Sequence, residues 1–262
     1  AENLAGASFG ILSTTDPDAS DSFAYSVTGG TDADSFEIGF GSSQNHTLKF
    51  KSTVSGNFET KSSYSVIVTS TDSGSESTSS TFTLSLTDVN ESPTDIALSG
   101  GSAAENSAGA SFGTLSTTDP DTSDSFTYSV TGGTDSASFE IGSSNNLKFK
   151  SSVSGNYESK SSYSVIVTST DAGSNTYAET LTVSITNVNE SPSFTTSTTA
   201  SIAENGTAVL TAAGSDPESG SLTYSLGTGN DTTDFSITSA GVLTFNRAPD
   251  YEIPSDSDEN NT

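Results

Sequence analysis

The sequence carries one acidic framework twice. Glu2, Asp16, Asp18, Glu59, Asp72, Asp88 and Glu91 return as Glu105, Asp119, Asp121, Glu158, Asp171, Asn187 and Glu190. The offset is 103 residues at Glu2 and 99 at Asp72, because Ile38 to Leu48 spans ten positions where Ile141 to Leu147 spans six. A third, partial copy holds Glu204, Asp216, Glu218, Asp250 and Glu252. Carboxylates that persist through duplication while a loop changes length suit a hard cation, which needs several anionic oxygens at fixed relative positions.

Other chemistries find little support. His46 is the single histidine and lies in the insertion peculiar to the first copy, where it reads as loop filler. With no second histidine and no cysteine, nucleophilic catalysis has no visible machinery. Paired carboxylates could hydrolyse glycosides, but every candidate pair recurs at the repeat period, which suits a structural ligand better than a unique active centre. The expectation is a chain that is not an enzyme. Seven Lys and Arg against 33 Asp and Glu give a net charge of −26. Nucleic acid and anionic membranes would repel such a chain, and no apolar run approaches the roughly 18 residues of a membrane span. Disulfides and thiolate metal sites are excluded by the lack of cysteine.

The elements that position the acids read as strands. Phe126 to Val130 and Leu181 to Ile185 alternate apolar and polar residues, as does Tyr163 to Val167 with Ile166 outward. Period-two alternation puts one face on a core and the other in water. Within the second copy the pattern predicts strands at 95–99, 111–117, 125–130, 138–141, 146–150, 162–169 and 179–186. Seven short antiparallel strands separated by Gly, Asn, Asp and Ser turns fit an all-β fold of tandem Greek-key, immunoglobulin-like β-sandwiches. Three repeats follow, at 1–91, 92–190 and 191–262, the first lacking its first strand and the third its last. The chain thus reads as a window onto a longer array. Tyr64 and Tyr163 open the sixth strand, either as tyrosine corners or as ordinary core residues. Asp88-Val89-Asn90-Glu91-Ser92-Pro93 and Asn187-Val188-Asn189-Glu190-Ser191-Pro192 form short joints, in which proline fixes φ at entry to the next strand. Asp256-Ser257-Asp258-Glu259 lacks the glycine and distal Glu of an EF-hand loop. Asp32, Asp34, Asp124 and Asp135 lie outside the repeated junctional set and read as solvated surface acids.

These motifs resemble the cadherin and cadherin-like tandem repeats, in particular the Ser/Thr-rich kind of large bacterial surface adhesins. The resemblance covers nearly the whole chain. It implies that Glu2 is the early Glu, Asn57-Phe58-Glu59 the Asp-x-Glu element and Asp88-Val89-Asn90-Glu91 the linker. Asp119-Pro120-Asp121 and Asp171 would complete the site. The corresponding second set is Glu105, Glu158, Asn187, Asn189, Glu190, Asp216 and Glu218. Asn57 and Asn156 stand where the family has Asp, Glu91 and Glu190 replace the second linker Asp, and Ser92 and Ser191 replace its final Asn.

Glu2, Glu59, Asp88, Glu91, Asp119, Asp121 and Asp171 would meet at one joint. A like-charged pair at about 5 Å costs roughly 3 kcal/mol at an effective dielectric of 20. Ca²⁺ suits such a set because it accepts 6–8 oxygens in flexible geometry, including a carbonyl such as that of Val89. Asn187 in place of Asp88 predicts weaker binding at the second joint. The expected function is a calcium-rigidified extracellular segment of a cell-surface or secreted adhesion protein, serving as spacer or adhesion module. Its partners would be neighbouring repeats, identical protomers, or a cell-surface receptor or glycan. One alternative is a self-assembling subunit of a filament, sheath or surface layer. The other is Ca²⁺-dependent carbohydrate binding, which needs an exposed aromatic platform that a chain without Trp, its Phe and Tyr mostly in strand interiors, is ill equipped to build.

Overall fold

Alternation of β-branched or aromatic residues with Ser and Thr dictates the strands, and the turns between them supply Gly, Asn, Asp and Ser. The computed structural model describes residues 1–18, 21–40, 45–229 and 231–252. Residues 41–44 of the first-copy insertion and the Asp256–Glu259 segment lie outside them. The first copy forms β1 (Ser8–Ile11), β2 (Ala24–Gly29), β3 (Phe36–Phe40), β4 (His46–Phe50), β5 (Ser63–Thr71) and β6 (Ser77–Ser85). The second forms β7 (Asp95–Leu98), β8 (Ser102–Ala104), β9 (Ser111–Thr118), β10 (Thr127–Gly132), β11 (Phe139–Gly142), β12 (Asn146–Phe149), β13 (Ser162–Thr170) and β14 (Thr176–Thr186). The third contributes β15 (Ser193–Phe194), β16 (Ala208–Thr211), β17 (Gly214–Ser215), β18 (Phe235–Ile237) and β19 (Val242–Phe245). The only helical pieces among the described residues are single 3₁₀ turns such as Ala33–Ser35 and Ser136–Ser138.

The chain divides into two compact units, and the second copy contributes to both. The first unit is Ala1–Leu98, Leu115–Gly132 and Ile166–Thr180. In it β1, β4 and β3 form one antiparallel sheet and β2, β5 and β6 another. β7 pairs with Leu115–Thr118, and β10 pairs with the Ile166–Thr170 part of β13. Phe36, Leu48, Phe50, Val66, Val68 and Leu86 form a buried cluster against which Phe9, Val27 and Phe82 pack. Phe9 meets Phe50 edge-on at 4.9 Å, and Tyr64 does so at 5.1 Å. The Tyr64 ring is therefore part of the core packing.

Low apolar content is offset by hydroxyls that satisfy one another inside. Thr14 Oγ1 lies within hydrogen-bond distance of Ser70 Oγ, at 2.8 Å, and of the Tyr25 hydroxyl, at 3.1 Å. Thr117, Ser169 and Tyr128 repeat the trio at 2.8 Å each. Pairing of this kind removes the desolvation cost of a buried hydroxyl, about 1–3 kcal/mol when it is left unmade.

The second unit is Ser99–Thr114, Gly133–Val165 and Leu181–Thr262. β11 pairs with β12, and β12 pairs with Ser111–Thr114. The Ser184–Thr186 end of β14 runs parallel to β8, a strand the sequence pattern did not predict. β16, β19 and β18 form a sheet, and β15 pairs with β17. Phe112 meets Phe149 at 4.9 Å and Tyr163 meets it at 5.1 Å, both near perpendicular, reproducing the first unit's rings.

Candidate metal centres

Strand ends place the first acidic set, and all of it lies within the first unit. Glu2 precedes β1, Glu59 lies in the turn before β5, and the Asp88–Glu91 segment follows β6. Asp119 and Asp121 follow β9, and Asp171 follows β13. Glu2 is only 3% exposed. Backbone holds both its oxygens: the Phe58 N–H donates to Oε2 at 2.5 Å and the Val89 N–H to Oε1 at 2.9 Å. One carboxylate thereby ties the Glu59 turn to the linker.

Carboxylate oxygens of Glu2, Glu59 and Asp88 lie within 4.8 Å of one another. The same holds for Glu59, Glu91 and Asp121, and for Asp119, Asp121 and Asp124. Glu59 and Asp121 are shared, so the three triads form one continuous acidic track. A cleft of about 450 Å³ opens beside it, lined by Glu59, Asp88, Asn90, Asp121 and Asp124.

The linker is fixed from both sides. The Glu91 N–H donates to Asp121 Oδ2 at 2.7 Å, and the Asp121 N–H donates to Asp119 Oδ1 at 2.9 Å. Asn90 Nδ2 donates to Asp171 Oδ2 at 2.9 Å. Asn175 donates from its backbone to Asp171 Oδ1 at 2.7 Å and from its side chain to the Glu91 carbonyl at 2.8 Å. Asn3 donates to Glu91 Oε1. Val89 contributes its N–H to Glu2, while the residue as a whole is 43% exposed.

Crowding shifts the acids upward. Burial raises Asp88, and repulsion from Asp121 and Glu2 adds to it. Burial likewise raises Glu91 against the opposing amide of Asn3, and it raises Asp119 despite the Asp121 N–H. At Glu59 its own N–H favours the anion, but burial and the charges of Glu2 and Asp88 prevail and raise it. Asp171 moves the other way: burial opposes its charge, and hydrogen bonds from Asn90 and Asn175 outweigh burial.

The second set lies within the second unit. Glu105, 3% exposed, accepts the Tyr157 N–H at 2.7 Å and the Val188 N–H at 2.8 Å. Its oxygens cluster with those of Glu158 and Glu190 within 4.8 Å. Asn187 donates to Glu158 Oε1 at 3.2 Å, and Asn189 donates to the Glu190 carbonyl at 3.0 Å. Asn106 donates to Glu190 Oε1. Glu218 accepts the Glu190 N–H at 3.0 Å, and Asp216 accepts the Glu218 N–H at 3.0 Å. The neighbouring carboxyl of Glu218 raises Glu190, while the Glu190 N–H lowers Glu218.

Calcium fits this donor set. Glu91 Oε2, Asp119 Oδ2 and Asp124 Oδ2 are shielded from solvent and accept no hydrogen bond among the described residues; Glu190 Oε2 and Glu218 Oε2 are alike in the second set. A buried carboxylate oxygen without a donor is costly, and a hard cation is the partner that oxygen-only clusters of this size accommodate.

Several assignments change. Asp124 belongs to a triad rather than to the solvated surface; its five-residue spacing from Asp119 matches that of Asp21 from Asp16, a signal the repeat contained. Asp16, Asp21 and Asp72 themselves cluster within 4.8 Å. Asp32 and Asp135 are structural clamps. Asp32 accepts Lys61 Nζ and the Ser65 N–H, and Asp135 accepts Lys160 Nζ and the Ser164 N–H. His46 packs between Tyr25 and Phe40, tilted against both rings with each ring centre 5.1 Å away. Phe40 and Phe194 are largely exposed, exceptions to the expectation that Phe and Tyr lie mostly in strand interiors. Gly6–Gly10 and Gly109–Gly113 spell Gly-x-Ser-x-Gly, but Ser8 and Ser111 open strands rather than a strand-to-helix elbow.

No protein-family model and no curated protein matches the sequence. Solved structures do. The chain superposes on mouse cadherin-23 EC22-24 with a TM-score of 0.65 at 20% identity, covering 96% of this chain and 84% of that one. Mouse protocadherin-24 EC1-3 gives 0.61 at 18% identity, covering 95% and 82%. The protocadherin gammaB7 EC3-6 cis-dimer structure gives 0.61 at 22% identity; 96% of this chain spans 63% of that one. The fold is the immunoglobulin-like β-sandwich of cadherin extracellular domains.

Proposed function

We propose that this chain is a segment of tandem extracellular repeats, bounded at 1–91, 92–190 and 191–262, whose joints bind Ca²⁺ and stiffen on binding it. It would serve a cell-surface or secreted adhesion protein as spacer or adhesive module, and the Ser/Thr-rich composition favours the kind found in large bacterial surface adhesins. The observation that carries this reading is the row of three linked triads containing shielded, donor-less oxygens of Glu91, Asp119 and Asp124. Glu2, Glu59, Asp88, Glu91, Asp119, Asp121 and Asp171 would hold the ions of the first joint, with Asp124 added. Glu105, Glu158, Glu190, Asp216 and Glu218 would hold those of the second. The bound ion supplies positive charge that makes the closeness of these acids tolerable.

The test is small-angle scattering and calorimetry of the whole chain with calcium and with chelator. Saturable calcium binding with a chelator-induced change in maximum dimension is expected. An unchanged dimension, or no heat of binding, would remove the proposal.

A further inference from the structure

We infer that β6 is a self-pairing edge, through which two copies of this chain join by antiparallel β-augmentation. β6 ends the β2–β5–β6 sheet. Its register to β5 is unbroken from Ser63↔Ser85 to Thr71↔Ser77. The Leu86 N–H donates to the Ser62 carbonyl at 2.9 Å, so alternation turns the backbone of residues 78, 80, 82 and 84 toward β5. The N–H and C=O groups of Ser79, Thr81 and Thr83 therefore point away from the sheet.

In the second copy β8 covers only Ser184–Thr186 of the equivalent strand, and these match Ser85–Thr87. Edges of this length are ordinarily blunted by Lys, Pro or a bulge. β6 has none of these: it reads STSSTFTLS, and residues 77–83 are exposed apart from Phe82.

Charge selects the partner. The chain carries −26, so two copies can approach closely only where charge is absent, and no charged residue lies between Glu76 and Asp88. A two-fold centred on Thr81 pairs Thr81 with itself and Ser79 with Thr83. It sets Glu76 against Leu86 and Asp88 against Gly74, so no like charges face each other. Cross-strand Thr and Ser pairs are favourable on such a face. A single strand pair buries less than the roughly 1,000 Å² of a stable interface. The contact is therefore transient alone and becomes strong through many copies on one surface. It uses none of the acidic joint residues and does not rest on calcium binding.

The experiment is sedimentation of the full chain over a concentration series in chelator, with Thr81→Pro, Thr81→Lys and two cysteine variants. The wild-type mass should climb toward that of a dimer. Both Thr81 variants should stay monomeric with an unchanged melting midpoint, since the outward N–H of an edge strand tolerates proline. Under oxidation Thr81→Cys should cross-link to a dimer and Ser77→Cys should not, because only residue 81 meets its own copy. A wild type that stays monomeric at its solubility limit, a Thr81→Lys chain that associates as the wild type does, or equal cross-linking at 77 and 81 overturns the inference.

Discussion

Asn90 Nδ2 donates to Asp171 Oδ2 across 2.9 Å, although 81 positions separate the two residues in sequence. The contact anchors the middle of the first linker to the turn after β13, and Gly173 makes room for it. A Cβ on Gly173 would come within 2.5 Å of Asn90 Cγ. Gly173→Ala should push the amide aside while leaving both strands intact. Loss of one hydrogen bond to a charged acceptor is worth about 1.5–3 kcal/mol. Calcium affinity at the first set should fall by about tenfold or more by calorimetry, with the circular dichroism of the sheets unchanged.

The two sets differ most clearly at one residue. Asp88 sets a carboxylate oxygen beside those of Glu2 and Glu59, whereas Asn187 offers a donor to Glu158. An amide nitrogen repels a cation where a carboxylate attracts it. The second set should therefore bind calcium more weakly, and Asn187→Asp should tighten it by about tenfold, or about 1.4 kcal/mol. A titration that finds the second set tighter in the unmodified chain contradicts this ranking.

Much of the fold was legible because strand alternation is local. The predicted strand at 162–169 is β13, one residue longer at Thr170, and that at 111–117 is β9, extended to Thr118. β8 was illegible: Ser102-Ala103-Ala104 has no alternating apolar pattern, and a parallel partner 82 positions away creates it. The acids divide on the same ground. Glu2 and Glu105 could be singled out from the repeat, but their shared role as backbone acceptors depends on turns over fifty positions away. Asp32 and Asp135 looked like solvated acids because nothing in sequence places Lys61 or Lys160 beside them; the Ala33–Ser35 and Ser136–Ser138 turns and β5 and β13 do so.

Without calcium the first joint should gain stability on mild acidification. Glu59, Asp88, Glu91 and Asp119 are raised in the folded chain. Folded protein then binds more protons than unfolded protein as pH falls from neutral toward the ordinary carboxylate range, so stability rises through that window. In chelator the melting midpoint should climb on going from pH 7 toward pH 5. With saturating calcium that slope should vanish or reverse, because protons and cation compete for the same oxygens. Thermal melts at each pH, with and without chelator, separate the two cases.

The clamps act with the opposite sign and at lower pH. The Lys61 ammonium and the Ser65 N–H hold Asp32 below its ordinary value. Lys160, against the opposing effect of burial, and the Ser164 N–H do the same for Asp135. A depressed carboxylate contributes stability above its unfolded pKa of about 3.9 and loses it as pH falls through the folded value. Lys61 and Lys160 are about half exposed, so each pair is worth about 1 kcal/mol or less. Asp32→Asn and Asp135→Asn should therefore lower the midpoint only slightly at pH 7 and flatten the loss of stability below about pH 4. Calcium affinity at both joints should be unchanged. A steep acid limb retained in the double variant would assign that limb to other carboxylates.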